Sequence, residues 1–258
     1  MNKDLALVTG AGRGIGRAIA RRLALGSDTA PGMPVVLVSR TNEEITTLRN
    51  EIIDRGGKAF ATPCDVRNPA EVNALSKDVL NDLGPVNILV NNAGITTSGK
   101  LEDTTDDMWR DTFAVNVDAA FYVTRAFLPG MIPEGGHVVS IGSTASLEGF
   151  RYTSAYSASK HAILGLMRAL AEEFKTKNIK FSTICPGFTR TQILSEAIQA
   201  TMARGNSYEK VEAMYAMMNR EGRILEPEEI AETVYELVMN KNIESGLAYH
   251  ADGTVVGI

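Results

Sequence analysis

The chain has 258 residues, of which 44% are hydrophobic and 22% charged, and carries a net charge of −5. That length can bury a sizeable core in one large α/β domain, and the composition excludes collagen-like, mucin-like and disordered chains. The acidic balance supplies no basic field for a polyanion, so neither nucleic acid nor an acidic membrane is an expected partner.

Taken in chain order, the first apolar run is "LALVT" at 5–9, and it ends in the glycine-rich stretch "TGAGRGIG" at 9–16. Apolar residues at 15, 18, 19, 23 and 25 then give one helical face, closed by Gly26. After a long connection, "GSDTAPGMP" at 26–34, the strand-like runs are "PVVLVS" at 34–39, "KAFATP" at 58–63, "NILVNN" at 87–92, "HVVSIG" at 137–142 and "KFSTIC" at 180–185. Helical periodicity fills the gaps at about 42–55, 69–82, 106–128, 154–177 and 227–239. This alternation predicts a doubly wound parallel sheet of Rossmann type, in three α/β/α layers, with residues 1–258 as one domain. The long segment 187–225 after the sixth strand is expected to be a substrate lid.

No metal site or disulfide framework is expected, because Cys64, Cys185, His137, His161 and His250 stand apart without ligand spacing. The start "MNKDLALVTG" lacks an extended signal-type run, and no stretch reaches bilayer length, so a cytoplasmic protein is expected.

Gly10, Gly12, Arg13, Gly14, Ile15 and Gly16 form the turn between the first strand and first helix. Such a turn lets backbone approach a pyrophosphate and aims helix N–H groups at it. In dinucleotide-binding sheets a carboxylate at the end of the second strand takes the ribose 2′-hydroxyl, whereas Arg there accommodates a 2′-phosphate. Here the positions are Ser39 and Arg40, with Arg13 nearby, so the expected cofactor is NADP(H).

Seven motifs appear in order: "TGAGRGIG", "CDV" at 64–66, "NNAG" at 91–94, "VNV" at 115–117, "SIGSTAS" at 140–146, "YSASK" at 156–160 and "PGFTRT" at 186–191. Through them the chain resembles the short-chain dehydrogenases/reductases over nearly its whole length. The resemblance implies that Asp65 and Val66 flank the adenine, that Asn92, Ala93 and Gly94 floor the cofactor, and that Asn116, Ser143, Tyr156 and Lys160 form the catalytic tetrad. It also implies that Pro186, Gly187, Thr189 and Thr191, with backbone near Phe188, hold the nicotinamide amide, and that Asn116 holds a water linking Lys160 to solvent.

The chemistry fits those residue types. Hydride transfer to a ketone leaves an alkoxide that needs a proton, for which Tyr156 is the donor. Lys160, four residues on, shares its helix face, and a nearby ammonium favours a phenolate. Ser143 can hydrogen-bond the same carbonyl oxygen.

For the substrate, Leu147, Phe150, Tyr152 and Phe188 join Ser143 and Tyr156 as expected contacts. Val211, Met214, Tyr215 and Met218 form an i, i+3, i+4, i+7 stripe that suits either an adaptable apolar pocket or the seating of the lid helix. The turn "LPGMIPEGGH" at 128–137 carries Glu and no Lys or Arg, which favours a small free ketone or diketone over a carrier-bound acyl chain. The long 26–34 loop and "SRT" are similar to sepiapterin reductases, with Asp252 the candidate pterin anchor. A 3-oxoacyl reductase acting on a carrier-protein or CoA thioester, and a non-catalytic NADPH-binding sensor, are the competing readings. Relatives of this kind imply a homodimer or homotetramer built on the helices at 106–128 and 154–177.

Overall fold

Seven parallel strands make the central sheet: β1 (Ala6–Thr9), β4 (Val35–Ser39), β5 (Ala59–Pro63), β6 (Ile88–Asn91), β7 (Gly136–Ile141), β8 (Ile179–Ile184) and β9 (Ala248–Tyr249). The structure is a computed structural model describing residues 4–27, 30–203, 205–240 and 242–256. Strand order is β5-β4-β1-β6-β7-β8-β9. The chain therefore winds outward from β1 to β5, then crosses back to place β6 on the other side of β1. That reversal opens a crevice beyond the carboxyl ends of β1 and β6.

Alternate residues of each strand feed opposite layers, which is why the strand runs are apolar throughout. Ala6 and Val8 of β1 pack with Ile19 and Leu23 of α1 (Gly14–Leu25), Ile45 and Leu48 of α2 (Asn42–Asp54) and Val234 of α9 (Pro227–Met239). Leu5 and Leu7 face the other side, with Val72 and Leu75 of α3 (Pro69–Asp82), Phe127 of α5 (Ala119–Met131) and Met167 of α6 (Ser154–Glu173). Arg22 of α1 grips α9 by hydrogen bonds to Glu232 of 2.5 and 2.7 Å, with its guanidinium 3.8 Å from the Tyr235 ring centre.

Four features depart from the periodicity reading. The helix expected at 106–128 is two helices, α4 (Asp106–Phe113) and α5, joined by a π-turn over Ala114–Asp118. The extra residue falls where buried Asn116 turns its amide inward, a polar demand that helical periodicity does not register. The helix expected to reach 177 ends at Glu173. The 26–34 connection contains a small antiparallel hairpin, β2 (Gly26–Ser27) with β3 (Ala30–Pro31), while residues 28 and 29 lie outside the described ones. β9, two residues long, is too short to show a run of its own. Segment 187–225 folds into α7 (Gln192–Met202) and α8 (Tyr208–Met218), with Leu194, Ile198, Val211 and Ile224 as a small separate core.

Candidate active site

β1 ends at Thr9, and the connection to α1 turns through two left-handed glycines, Gly10 at φ +63° and Gly14 at φ +53°. This region costs a residue with a Cβ roughly 1–2 kcal/mol. Gly16 has another reason: a Cβ there would collide with the Gly10 carbonyl and the Asn92 amide. Asn92 Nδ2 donates to Thr9 O at 2.9 Å and Gly10 O at 3.2 Å, while Thr9 Oγ1 accepts from the N–H groups of Asn92 and Ala93. The predicted floor residues thus brace the glycine turn from below. Ile15 is half-buried against the inner layer, and Gly12 lies under the Glu44 side chain.

α1 starts with no side-chain cap from Arg13 and no acid in its first turn. Its N–H groups and positive dipole end are left for an anion, so the residues fit a dinucleotide pyrophosphate. On the facing side, the Thr191 methyl would lie 3.2 Å from a Cβ on Gly14, and Arg13 Nη1 donates to Gln192 Oε1 at 2.6 Å. The end of the segment after β8, at Thr191 and Gln192, therefore meets the glycine turn.

At the adenosine end, Ser39 Oγ accepts from Thr41 N–H and Arg40 is exposed. Asp65 is held below the usual carboxylate range, first by hydrogen bonds from Arg67 and then by the charges of Arg67 and Arg40. Val66 is buried beneath it. Glu44, an acid from the first turn of α2, reaches this rim through space, and no motif announces it.

Tyr156 and Lys160 stand one turn apart near the start of α6. Lys160 is 6% exposed; its Nζ donates to Ile141 O at 2.9 Å and lies 5.7 Å from the Tyr156 ring centre. A Cβ on Gly94 would stand 3.6 Å from that ammonium and 3.3 Å from Asn116 Oδ1. Asn116 accepts from Ile95 N–H at 2.8 Å and donates to Ile95 O and Ser159 Oγ, both at 3.0 Å. Both amide hydrogens are thus spent on fixing the strand exit and α6, while Oδ1 anchors Ile95 N–H. Ser159, in turn, donates to Tyr156 O at 2.7 Å.

Ser143 lies two residues past β7 and caps a short 3-10 turn, Thr144–Ser146, against which α6 packs. Its Oγ accepts from Ala145 N–H at 3.1 Å, and its own N–H donates to Ser146 Oγ at 3.1 Å. The hydroxyl oxygen is thereby oriented while its proton remains to be given away. Motif reading overlooked Ser146 and Ser159, although the Ser-x-x-Ser spacing at 143–146 carries the signal of a reciprocal cap. The nearby thiol of Cys185 is pushed up to about 11 by burial, which keeps it out of nucleophilic chemistry. Among the described residues, no three His, Cys, Asp or Glu side chains converge on a metal-binding point.

The expected substrate residues separate in space. Leu147 packs with Leu164, Cys185 and Ala248. Phe150 and Tyr152 line a cavity of about 400 Å³ with Lys100, Leu101 and Arg151, and Tyr152 takes a left-handed φ of +68°. The Phe188 ring lies 4.7 Å from that of Tyr215, on the lid core. The lid stripe divides: Val211 is buried and Tyr215 half-buried, whereas Met214 and Met218 are exposed. Asp252 accepts from the N–H and hydroxyl of Thr254 and lies 3.7 Å from Arg220.

The comparisons with known proteins agree with this geometry. A family model described as short chain dehydrogenase matches residues 4–201. The chain is 31% identical over 255 residues to cyclohexanol dehydrogenase of an Acinetobacter species, covering 98% of this chain and 94% of that one. It is 37% identical over 193 residues to 3beta-hydroxysteroid dehydrogenase of Mediterraneibacter gnavus, covering 74% and 68%. The crystal structure of a variant actinorhodin polyketide ketoreductase with NADPH superposes with a TM-score of 0.88 at 32% identity, over 97% of both chains. With the sheet, the glycine turn and the Tyr156–Lys160 pair in place, the chain belongs to the short-chain dehydrogenase family.

Proposed function

We propose that the protein reduces the carbonyl of a small ketone to a secondary alcohol, using NADPH. The observation that carries this reading is the Lys160 ammonium, held by Ile141 O, lying 5.7 Å from the Tyr156 ring centre and close to Gly94, which in turn adjoins Asn116. NADPH, when bound, supplies the hydride and is oxidised to NADP⁺. Gly10, Gly12, Arg13, Gly14, Ile15 and Gly16 would hold its pyrophosphate, with Arg13, Ser39 and Arg40 at the 2′-phosphate and Asp65 and Val66 at the adenine. Asn92, Ala93 and Gly94 would support the ribose side, and Pro186, Gly187, Thr189 and Thr191 the nicotinamide side.

Ser143 donates to the substrate oxygen and holds it against Tyr156. Tyr156 gives its hydroxyl proton to that oxygen as negative charge develops there, so one C–H and one O–H bond form as the carbonyl π bond is lost. The Lys160 ammonium, fixed by Ile141 O, stabilises the phenolate left behind until solvent returns a proton.

The actinorhodin polyketide ketoreductase match favours a second reading, a 3-oxoacyl thioester as substrate. NADPH oxidation across a panel of free ketones and diketones, run beside CoA- and carrier-bound 3-oxoacyl substrates, tests both. Tight NADPH binding without turnover of any of them would leave the sensor reading standing. The exposed aromatic residues Trp109 of α4 and Phe121 of α5 support assembly into a homodimer or homotetramer, which light scattering would measure. A cytoplasmic location, supported by two unlinked cysteines, belongs to the same proposal.

A further inference from the structure

Asn219 follows the last turn of α8 and is 5% exposed. Its side chain behaves as a one-residue strand beside Phe188. Oδ1 accepts from Phe188 N–H at 2.6 Å, while Nδ2 donates to Phe188 O at 2.8 Å and to Arg223 O at 2.6 Å. Phe188 O also accepts from Leu225 N–H at 3.0 Å, and Arg190 N–H donates to Leu225 O at 2.8 Å. The turn after β8 is therefore gripped on one side by a side-chain amide and on the other by a short parallel bridge between Thr189 and Leu225.

Two consequences follow for the turn itself. Gly187 is required by this amide, since a Cβ there would collide with Asn219 Oδ1. The Phe188 N–H is already spent, so it is not the group that meets a nicotinamide. Among the described residues the Thr189 N–H makes no hydrogen bond, while Thr189 Oγ1 donates to Gly187 O at 3.1 Å and Thr191 Oγ1 to Thr189 O at 3.2 Å. Among the described residues the N–H groups of Gly187 and Thr191 are also uncommitted, but it is the 188–189 peptide plane that the pairing of Asn219 with Phe188 fixes, and with it the direction of the Thr189 N–H.

We propose that Asn219 is a positioning residue for the cofactor's carboxamide: its amide occupies Phe188 so that Thr189 N–H is presented to the nicotinamide end. This rests on the reading of the protein as NADPH-dependent. Because three close hydrogen bonds converge on a buried amide, its loss frees the turn to rotate without touching the adenosine end of the cleft, which is built from β4, α2 and the glycine turn.

The test compares the binding of NADPH and of 2′-phospho-ADP-ribose, which lacks the nicotinamide, to the full chain and to Asn219→Ala. The expected result is a roughly five- to tenfold weaker NADPH affinity with the fragment unchanged within about twofold. With a ketone substrate, kcat should fall while its KM stays nearly constant. Gly187→Ala, which displaces the amide sterically, should give the same split and serves if Asn219→Ala does not fold. Parallel weakening of both ligands, or of neither, overturns the inference while leaving the cofactor reading intact. If the unaltered chain binds neither ligand, the cofactor reading falls and this inference with it.

Discussion

Lys160 sits 5.7 Å from the centre of the Tyr156 ring and is tethered to the Ile141 carbonyl at 2.9 Å, so the end of β7 sets the distance between cation and phenol. Tyr156→Phe removes the proton donor without altering shape. Turnover should fall by about 10²–10⁴, with NADPH affinity within about twofold of the original. Stopped-flow reduction and fluorescence titration measure the two quantities, and a variant retaining most of its activity would remove Tyr156 from the role of acid.

Cofactor choice should follow the two guanidiniums at the adenosine rim. Arg40→Asp combined with Arg13→Ser replaces phosphate-binding cations with a carboxylate suited to a free 2′-hydroxyl. The ratio of kcat/KM for NADPH over NADH is expected to drop by at least about 10², since two charge-assisted bonds are lost. Arg13 also holds Gln192 of α7. Gln192→Ala alone should therefore leave the ratio unchanged while altering cofactor release. An unmoved preference in the double variant would place the 2′-phosphate elsewhere.

Tyr152 pays a conformational penalty at φ +68°, and its carbonyl accepts from Gly99 N–H at 2.8 Å across the mouth of the cavity shared with Phe150 and Arg151. Tyr152→Gly relieves about 1 kcal/mol of strain. The expected result is a Tm higher by a few degrees, read by calorimetry. A lower Tm would mean that the ring's packing on Arg151 outweighs the backbone cost.

His137 joins β7 to β8 through a 2.9 Å hydrogen bond between its Nε2 and Ser182 Oγ. Burial, aided by the charge of Lys180, pulls its pKa down to about 3. The unfolded chain binds a proton there below about pH 6.5 whereas the folded chain does not. Stability should thus fall as pH drops from about 6.5 toward 3, by up to about 1.4 kcal/mol per pH unit from this group. His137→Gln removes that slope, and urea titrations between pH 4 and 7 would show it. Parallel curves for the two proteins would mean that the site takes up its proton while folded.

Much of this architecture can be read before any coordinates, because buried parallel strands demand unbroken apolar runs and the glycine turn demands residues that tolerate φ of +53° to +63°. Tyr156 and Lys160 are legible for the same reason, as a helix places residues four apart on one face. What escaped was set by contacts distant in sequence. Asn219 meets Phe188 across 31 positions, and Glu44 covers Gly12 from the next helix. Local periodicity also passed over the interruption at Asn116, whose partner Ile95 lies 21 positions away.

The interruption has a geometric effect on everything that follows it. One surplus residue in a helical path rotates the downstream positions by about 100° relative to those upstream. Downstream, Val123, Phe127 and Met131 point into the core, while Trp109 upstream stays outside. Excising a single position from 114–118 would restore unbroken winding and turn those three side chains by about 100° relative to α4. The kink is in effect a phase key between α4, which shows Trp109 to the surface while burying Thr112, and α5, whose apolar stripe faces the interior.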